Sequence, residues 1–164
     1  MGYTTDFEGV VSIDPPLTKE QVEYLQLFSE TRRMKRDPKI CEKMEDPKRI
    51  SVGLPVGIEG EFFVGGLGFC GQDDDSSVVD SNNEPRTQHS LWCDWTVNDE
   101  GTVLEWNGSE KFYSYVEWLE YIIENFMKRW NRILNGTISY QGEDEEDFGV
   151  IYVRDNIVER IEGE

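Results

Sequence analysis

Nine apolar residues, Phe112, Tyr115, Val116, Leu119, Ile122, Ile123, Phe126, Trp130 and Ile133, recur at i, i+3, i+4 and i+7 without a break. A stripe of that length constrains the fold, because a helix is held mainly by packing its apolar face and only weakly by propensity. The spacing predicts a helix from about Ser109 to Leu134, with Glu117, Tyr121, Glu124 and Lys128 on the opposite face. Asn135-Gly136 reads as its stop.

A second helix begins at Thr18. Thr18 and Gln21 fit a capping box, and Leu17 and Val22 fit a hydrophobic staple. Val22, Leu25 and Phe28 supply the stripe, and Pro38 marks the end. Strands are predicted over Tyr3–Ile13, Glu61–Val64, Ser90–Val97, Thr102–Trp106, Thr137–Gln141, Val150–Arg154 and Val158–Ile161. Residues 38–60 are broken by Pro38, Pro47, Gly53, Pro55, Gly57 and Gly60, and read as loops with one short helical turn. Asp155-Asn156 is a tight-turn signal. Few parallel crossovers are available in this order of elements. The expected fold is α+β: one domain over residues 1–164, in two layers, with a mostly antiparallel sheet and two helices packed on one face.

Charge narrows the function classes. The chain has 164 residues with 34 Asp and Glu against 16 Lys and Arg, a formal net charge of −18. Binding nucleic acid through a broadly basic surface is excluded, since that requires Lys and Arg to replace phosphate counterions. An aromatic content of 12% argues for a packed core in place of a disordered acidic tail. No apolar run reaches the roughly 18 residues that span a bilayer, and no basic-then-apolar leader opens the chain. Three scattered cysteines, Cys41, Cys70 and Cys93, suit a reducing cytoplasm. With one histidine, His89, they make a four-ligand zinc site improbable.

The charge is uneven. Eight of the 16 bases lie between Arg32 and Arg49, whereas residues 141–164 hold nine acids and two bases. The densest acidic runs are Asp73-Asp74-Asp75 and Glu143-Asp144-Glu145-Glu146-Asp147. A folded chain of this size exposes on the order of 8,400 Å², about one net charge per 470 Å². Duplex DNA carries about one per 100 Å². Imitating DNA therefore requires the acids to be gathered on one face.

Several motifs carry chemistry on paper. Gly66, Gly68 and Gly71 match GxGxxG, but Gln72 and three aspartates follow where a helix N-terminus would have to receive phosphate. Asp73, Asp75, Ser77, Ser81 and Glu84 fall at calcium-loop positions, yet Val78 stands where the turn needs glycine. What remains is a candidate oxygen-rich divalent-cation site of Asp73, Asp75, Asp80 and Glu84. Arg32, Arg33 and Arg36 offer either a phosphate or ligand contact or a helix C-terminus that balances its own dipole and pairs with the chain's own acids. On one strand, His89 and Cys93 would share a face with Leu91 and Trp95, which reads as core in preference to a nucleophile pair.

The segments GYTTDFEG, ETRRMKRD, GLPVGIEGEFFVGGLGFCGQ, EKFYSYVEWLEYIIENF and YQGEDEEDFGVIYVRDN resemble a family of small uncharacterised proteins from tailed-phage, prophage and bacterial genomes. The resemblance covers nearly the whole chain. It implies a cytoplasmic setting in a bacterial or infected cell, and no activity, cofactor or catalytic residue.

The expectation is a non-catalytic binding or inhibitor protein, DNA-mimic-like, that occupies a basic surface of a host nucleic-acid-handling or defence protein. It would bind no nucleic acid directly and no membrane, and the sequence leaves its oligomeric state open. Its contacts would be Asp73, Asp74, Asp75, Glu143, Asp144, Glu145, Glu146 and Asp147, with exposed aromatics such as Tyr113 or Tyr121 adding area. The alternative is a small-ligand, nucleotide or divalent-metal site at the Gly66–Gly71 loop and the Asp73–Glu84 segment.

Overall fold

In the computed structural model, residues 2–65 and 75–163 are described. Along the chain run β1 (Thr5–Asp14), α1 (Lys19–Glu30), β2 (Lys35–Arg36), α2 (Pro38–Cys41), α3 (Pro47–Ser51), a 3-10 turn (Ile58–Gly60), β3 (Val78–Asp80), β4 (Trp95–Val97), β5 (Val103–Trp106) and α4 (Tyr115–Ile122). A π-helical turn (Ile123–Met127), β6 (Ile133–Gly142), β7 (Phe148–Arg154) and β8 (Ile157–Glu162) complete it. By compactness the chain divides into two units, Met1–Val22 with Asp94–Glu164, and Glu23–Cys93.

The first unit is built on a six-stranded antiparallel sheet in the order β4-β5-β1-β6-β7-β8. This is the α+β, antiparallel class that the strand pattern predicts. The β1 strand alternates except at Gly9: Phe7, Val11 and Ile13 are buried, while Asp6, Glu8 and Asp14 are exposed. It pairs with β6 over ten residue pairs, from Thr5 opposite Gly142 to Asp14 opposite Ile133. Glycine is needed where the two strands close in. Gly9 has φ 114°, and a Cβ there would lie 2.5 Å from the Thr137 carbonyl oxygen.

The buried face is aromatic. The Phe7 ring meets Trp95, Trp106, Phe112 and Tyr115 edge-on at centroid distances of 5.1, 5.4, 5.8 and 4.9 Å. Trp95 Nε1 donates to the Tyr115 carbonyl at 2.8 Å, which fixes the first turn of α4 to this face. The opposite face of the sheet is open, with Asp6, Glu8, Val10, Thr137, Ser139 and Ile157 all exposed. Asp155 and Asn156 take φ of 48° and 70° between β7 and β8, the left-handed pair of a two-residue hairpin turn.

The long predicted helix is much shorter than its periodicity suggests. Lys111, Ser114 and Asn131 have φ of 60°, 55° and 58°, so left-handed residues bound it on both sides. In the π turn Lys128 N donates to the Ile123 carbonyl at 2.9 Å, a bond spanning five residues. Asn135-Gly136 is no helix stop but lies inside β6, which begins at Ile133. Tyr121, expected on the polar face, is buried; Glu117, Glu120, Glu124 and Lys128 form the solvent stripe.

The second unit has less regular structure. The division falls inside α1, whose start is the predicted capping box: Thr18 N donates to Gln21 Oε1 at 3.0 Å and Gln21 N to Thr18 Oγ1 at 3.2 Å. The helix ends at Glu30 and does not run on through the basic residues. Thr31 Oγ1 bonds back to the Leu27 carbonyl at 2.7 Å, a local alternative to helix continuation. The backbone beyond pairs with loops: Arg33 N with Leu91 O at 2.7 Å, Lys35 N with Asn83 O at 2.9 Å and Asp37 N with Ser77 O at 2.8 Å. Two short helices, α2 and α3, stand where one turn is predicted. Glu61–Val64 is not a strand. Its backbone is satisfied by turn bonds and side chains instead: Phe62 N donates to Val56 O at 3.1 Å and Phe63 N to Gly60 O at 3.0 Å, while Tyr24 OH donates to Phe62 O at 2.7 Å and Asp46 Oδ1 accepts from Val64 N at 3.2 Å. Ser90–Asp94 is also non-strand, and of His89 and Cys93 the first is exposed and the second buried.

Asp94, just before β4, is 4% exposed. Burial pushes its carboxyl up to about 6, a hydrogen bond with Asn107 opposing that effect. The folded chain then holds this proton more tightly than the unfolded one. The contribution to stability is full below the ordinary carboxylate range and is lost as pH rises through about 6. Asp94→Asn is expected to raise stability at pH 7 by about 2 kcal/mol. In urea unfolding measured across pH, that advantage disappears below about pH 4.

Candidate functional site

The run Glu143–Asp147 forms the turn between β6 and β7. Gly142 N donates to the Asp147 carbonyl at 2.7 Å and Asp147 N to the Asp144 carbonyl at 3.0 Å, which closes the loop. Gln141 Nε2 adds bonds to the carbonyls of Asp144 at 3.1 Å and Asp147 at 3.3 Å. The N-terminal segment braces it from the side. Tyr3 OH donates to Asp147 Oδ2 at 2.7 Å and accepts from Asp144 N at 3.2 Å, while Thr4 N donates to Glu143 Oε2. Tyr3 N in turn donates to the exposed Tyr113 hydroxyl at 3.0 Å. The bond to Asp147 is the main reason the Tyr3 hydroxyl is held above its usual range.

Glu143, Asp144, Glu145 and Glu146 point into solvent, and Asp147 is half-buried. Among the described residues no Lys or Arg forms an ion pair with any of the five. The turn borders an open cleft of about 640 Å³ that also takes in Tyr140, Phe148 and Glu162. Strand pairing extends the acidity along the sheet. Asp6 lies opposite Gln141, which lies opposite Phe148 at the end of the turn; Glu8 lies opposite Ser139. The sheet-bearing unit holds 21 of the 34 acids and 7 of the 16 bases, a net −14.

The other candidates are in the second unit. Gly66, Gly68, Gly71, Asp73 and Asp74 lie outside the described residues. Asp75 is committed inward: its carboxylate receives Arg36 Nη1 at 3.0 Å, Ser77 N at 2.8 Å and the Ser77 hydroxyl. Burial raises its pKa, but the Ser77 and Arg36 bonds outweigh that and hold the carboxyl below its usual range. Asp80 accepts from Asn82 N at 2.9 Å and Asn83 Nδ2 at 2.8 Å. Among the described residues no three His, Cys, Asp or Glu side chains are placed to hold a metal ion. Asp75, Asp80 and Glu84 therefore do not form a cation site by themselves.

The arginines are not a helix cap, because α1 ends at Glu30, but the pairing with the chain's own acids is present in Arg36–Asp75. Arg33 and Arg36 are 2% exposed. Arg33 Nη2 donates to the carbonyls of Glu61 at 3.0 Å and Phe63 at 2.6 Å, with its guanidinium 4.3 Å above the Phe28 ring. Arg36 bonds Ser77 Oγ at 2.6 Å and lies 4.5 Å above Phe63. Arg32 Nε reaches the Ser81 carbonyl at 3.0 Å. A further buried pair has no sequence signal beyond its spacing of three. Asp46, 1% exposed, accepts from Arg49 Nε at 2.6 Å and Gly65 N at 2.8 Å. Burial pushes its carboxyl up and Arg49 pulls it back, leaving it above its usual range.

No family model, curated protein or solved structure matches the chain.

Two measurements check this geometry. Tyr3→Phe removes both hydroxyl contacts to the turn, so the Asp144 amide is expected to exchange faster while the β6 amides keep their protection. Arg49→Met strands a buried carboxylate, and denaturant unfolding is expected to show a loss of about 3 kcal/mol at pH 7.

Proposed function

We propose that this protein is a non-catalytic binding protein whose acidic sheet-bearing unit occupies a basic surface on a partner. Such surfaces are what nucleic-acid-handling and defence proteins present to phosphate, so the acidic unit competes there as an imitation of the polyanion. The observation that carries this reading is the gathering of charge in one unit, where Asp6 and Glu8 lie on β1 beside β6, the strand that leads to the braced turn Glu143–Asp147. Bracing matters because side chains on an ordered turn lose less entropy on binding than those on a loose loop. The charge supplies fast, salt-sensitive encounter, and Phe148 and Tyr113, both exposed, supply contact area beside it. Following the resemblance of the quoted segments, we read its setting as the cytoplasm of a bacterial or phage-infected cell.

Fluorescence anisotropy with a labelled octa-lysine peptide tests the electrostatic core of this reading. Affinity is expected to fall at least tenfold between about 50 mM and 500 mM salt. It should also fall several-fold in the variant carrying Glu143→Gln, Asp144→Asn, Glu145→Gln and Glu146→Gln. Equal binding at both salt concentrations and in the variant would refute it.

A further inference from the structure

The sheet ends on β8, and the hydrogen-bond pattern identifies which of its groups face outward. Gly163 N donates to the Phe148 carbonyl at 2.8 Å, and the register runs on through Val150 opposite Ile161, Tyr152 opposite Glu159 and Arg154 opposite Ile157. In an antiparallel ladder such pairs alternate with pairs that exchange no bonds. Residues 157, 159, 161 and 163 therefore bond to β7, and the N–H and C=O groups of Val158, Arg160 and Glu162 point away from the sheet. Among the described residues none of these outward backbone groups has a hydrogen-bond partner. Sheet edges are ordinarily blunted by lysine, proline, a bulge or a covering segment. The β8 strand has no lysine, no proline and an unbroken register, and Ile157 beside it is 72% exposed.

We infer that β8 accepts a seventh strand from a partner, and that this strand is basic with interleaved apolar residues. The open face next to the edge specifies it. A groove of about 700 Å³ is lined there by Tyr152, Ile157, Ile161 and Glu159, so alternate side chains of an incoming strand meet isoleucine, glutamate and isoleucine. Opposite Glu159 a lysine or arginine is favoured; opposite Ile157 and Ile161 a β-branched apolar residue is favoured. The net −14 of the surrounding unit selects for a cationic segment. It also disfavours a second copy as occupant. The two longest antiparallel self-pairings of β8 place Glu159 against Glu159 or Arg160 against Arg160, and like charges directly opposite one another are destabilising. This inference deepens the proposed binding role but rests on backbone geometry, so the two can fail separately.

The test uses the full-length protein, labelled for NMR, and the capped peptide Lys-Val-Thr-Lys-Val-Val. A second version is methylated on the three backbone nitrogens that would face Val158, Arg160 and Glu162, which keeps the charge and removes the strand bonds. The unmodified peptide is expected to slow exchange of the Val158, Arg160 and Glu162 amides and to bind at least tenfold more tightly than the methylated one. Ile157→Lys, at an exposed position, should weaken it several-fold without changing the thermal midpoint. Equal binding of the two peptides, or no binding of either, overturns strand addition. Retained discrimination between the peptides at high salt upholds strand addition while removing the electrostatic reading. A concentration-dependent dimer that protects the same amides without peptide would make a second copy the occupant and overturn the basic-strand assignment.

Discussion

The pairing of β1 with β6 is the constraint on which the rest of the sheet-bearing unit depends. It joins residues 5–14 to residues 133–142 through ten consecutive pairs. Closing so long a loop costs only slowly more entropy with length, but it must be compensated by contacts formed at once along the whole ladder. The alternation of β1 supplies them, since Phe7, Val11 and Ile13 all face one side and Phe7 enters a ring cluster with Trp95, Trp106, Phe112 and Tyr115. The same register turns Asp6 and Glu8 outward beside the strands that carry the acidic turn. One pairing thus decides both the core and the charge layout.

The second unit handles charge in the opposite way. Part of its basic segment is internal: Arg33, Arg36 and Arg49 are buried against carbonyls, carboxylates and phenyl rings, while Lys39 and Lys43 are exposed. A buried guanidinium is tolerated only when its donors are directed at acceptors and its face at apolar or aromatic groups. Loop carbonyls fill that need here, so loops 54–65 and 75–83 are organised around side chains more than around a ladder. Among the described residues of that unit, Arg36–Asp75 and Arg49–Asp46 join a buried base to an acid, and Lys35–Glu59 and Lys48–Glu23 pair nearer the surface. None of these contacts neutralises the Glu143–Asp147 turn.

Much of this was legible in the sequence where a local rule and the tertiary environment agree. The Thr18–Gln21 box and the Asp155-Asn156 hairpin depend on nearest neighbours, and each is present. The long helix was misread for the same reason that made it conspicuous. Its periodicity continues through residues 109–114 and 128–134, but Phe112 is held in the aromatic cluster by a left-handed backbone and Leu134 is recruited into β6. The basic run was misread because a helix-dipole argument considers one element, whereas Arg33 and Arg36 find acceptors supplied by distant loops.

By itself, then, the sequence determined the class of fold, the chemistry of the β7–β8 turn and the position of five consecutive acids, because these follow from residue type and short-range spacing. Only the tertiary structure decided that the turn is braced by Tyr3 and that its strand β6 lies beside Asp6 and Glu8, that Arg33, Arg36 and Arg49 are interior, and that β8 leaves its outward backbone groups open among the described residues. The bracing and the β1–β6 pairing require residues more than a hundred positions apart to meet, the arginines find acceptors on other loops, and no short-range pattern encodes which partners win that competition for hydrogen bonds and burial.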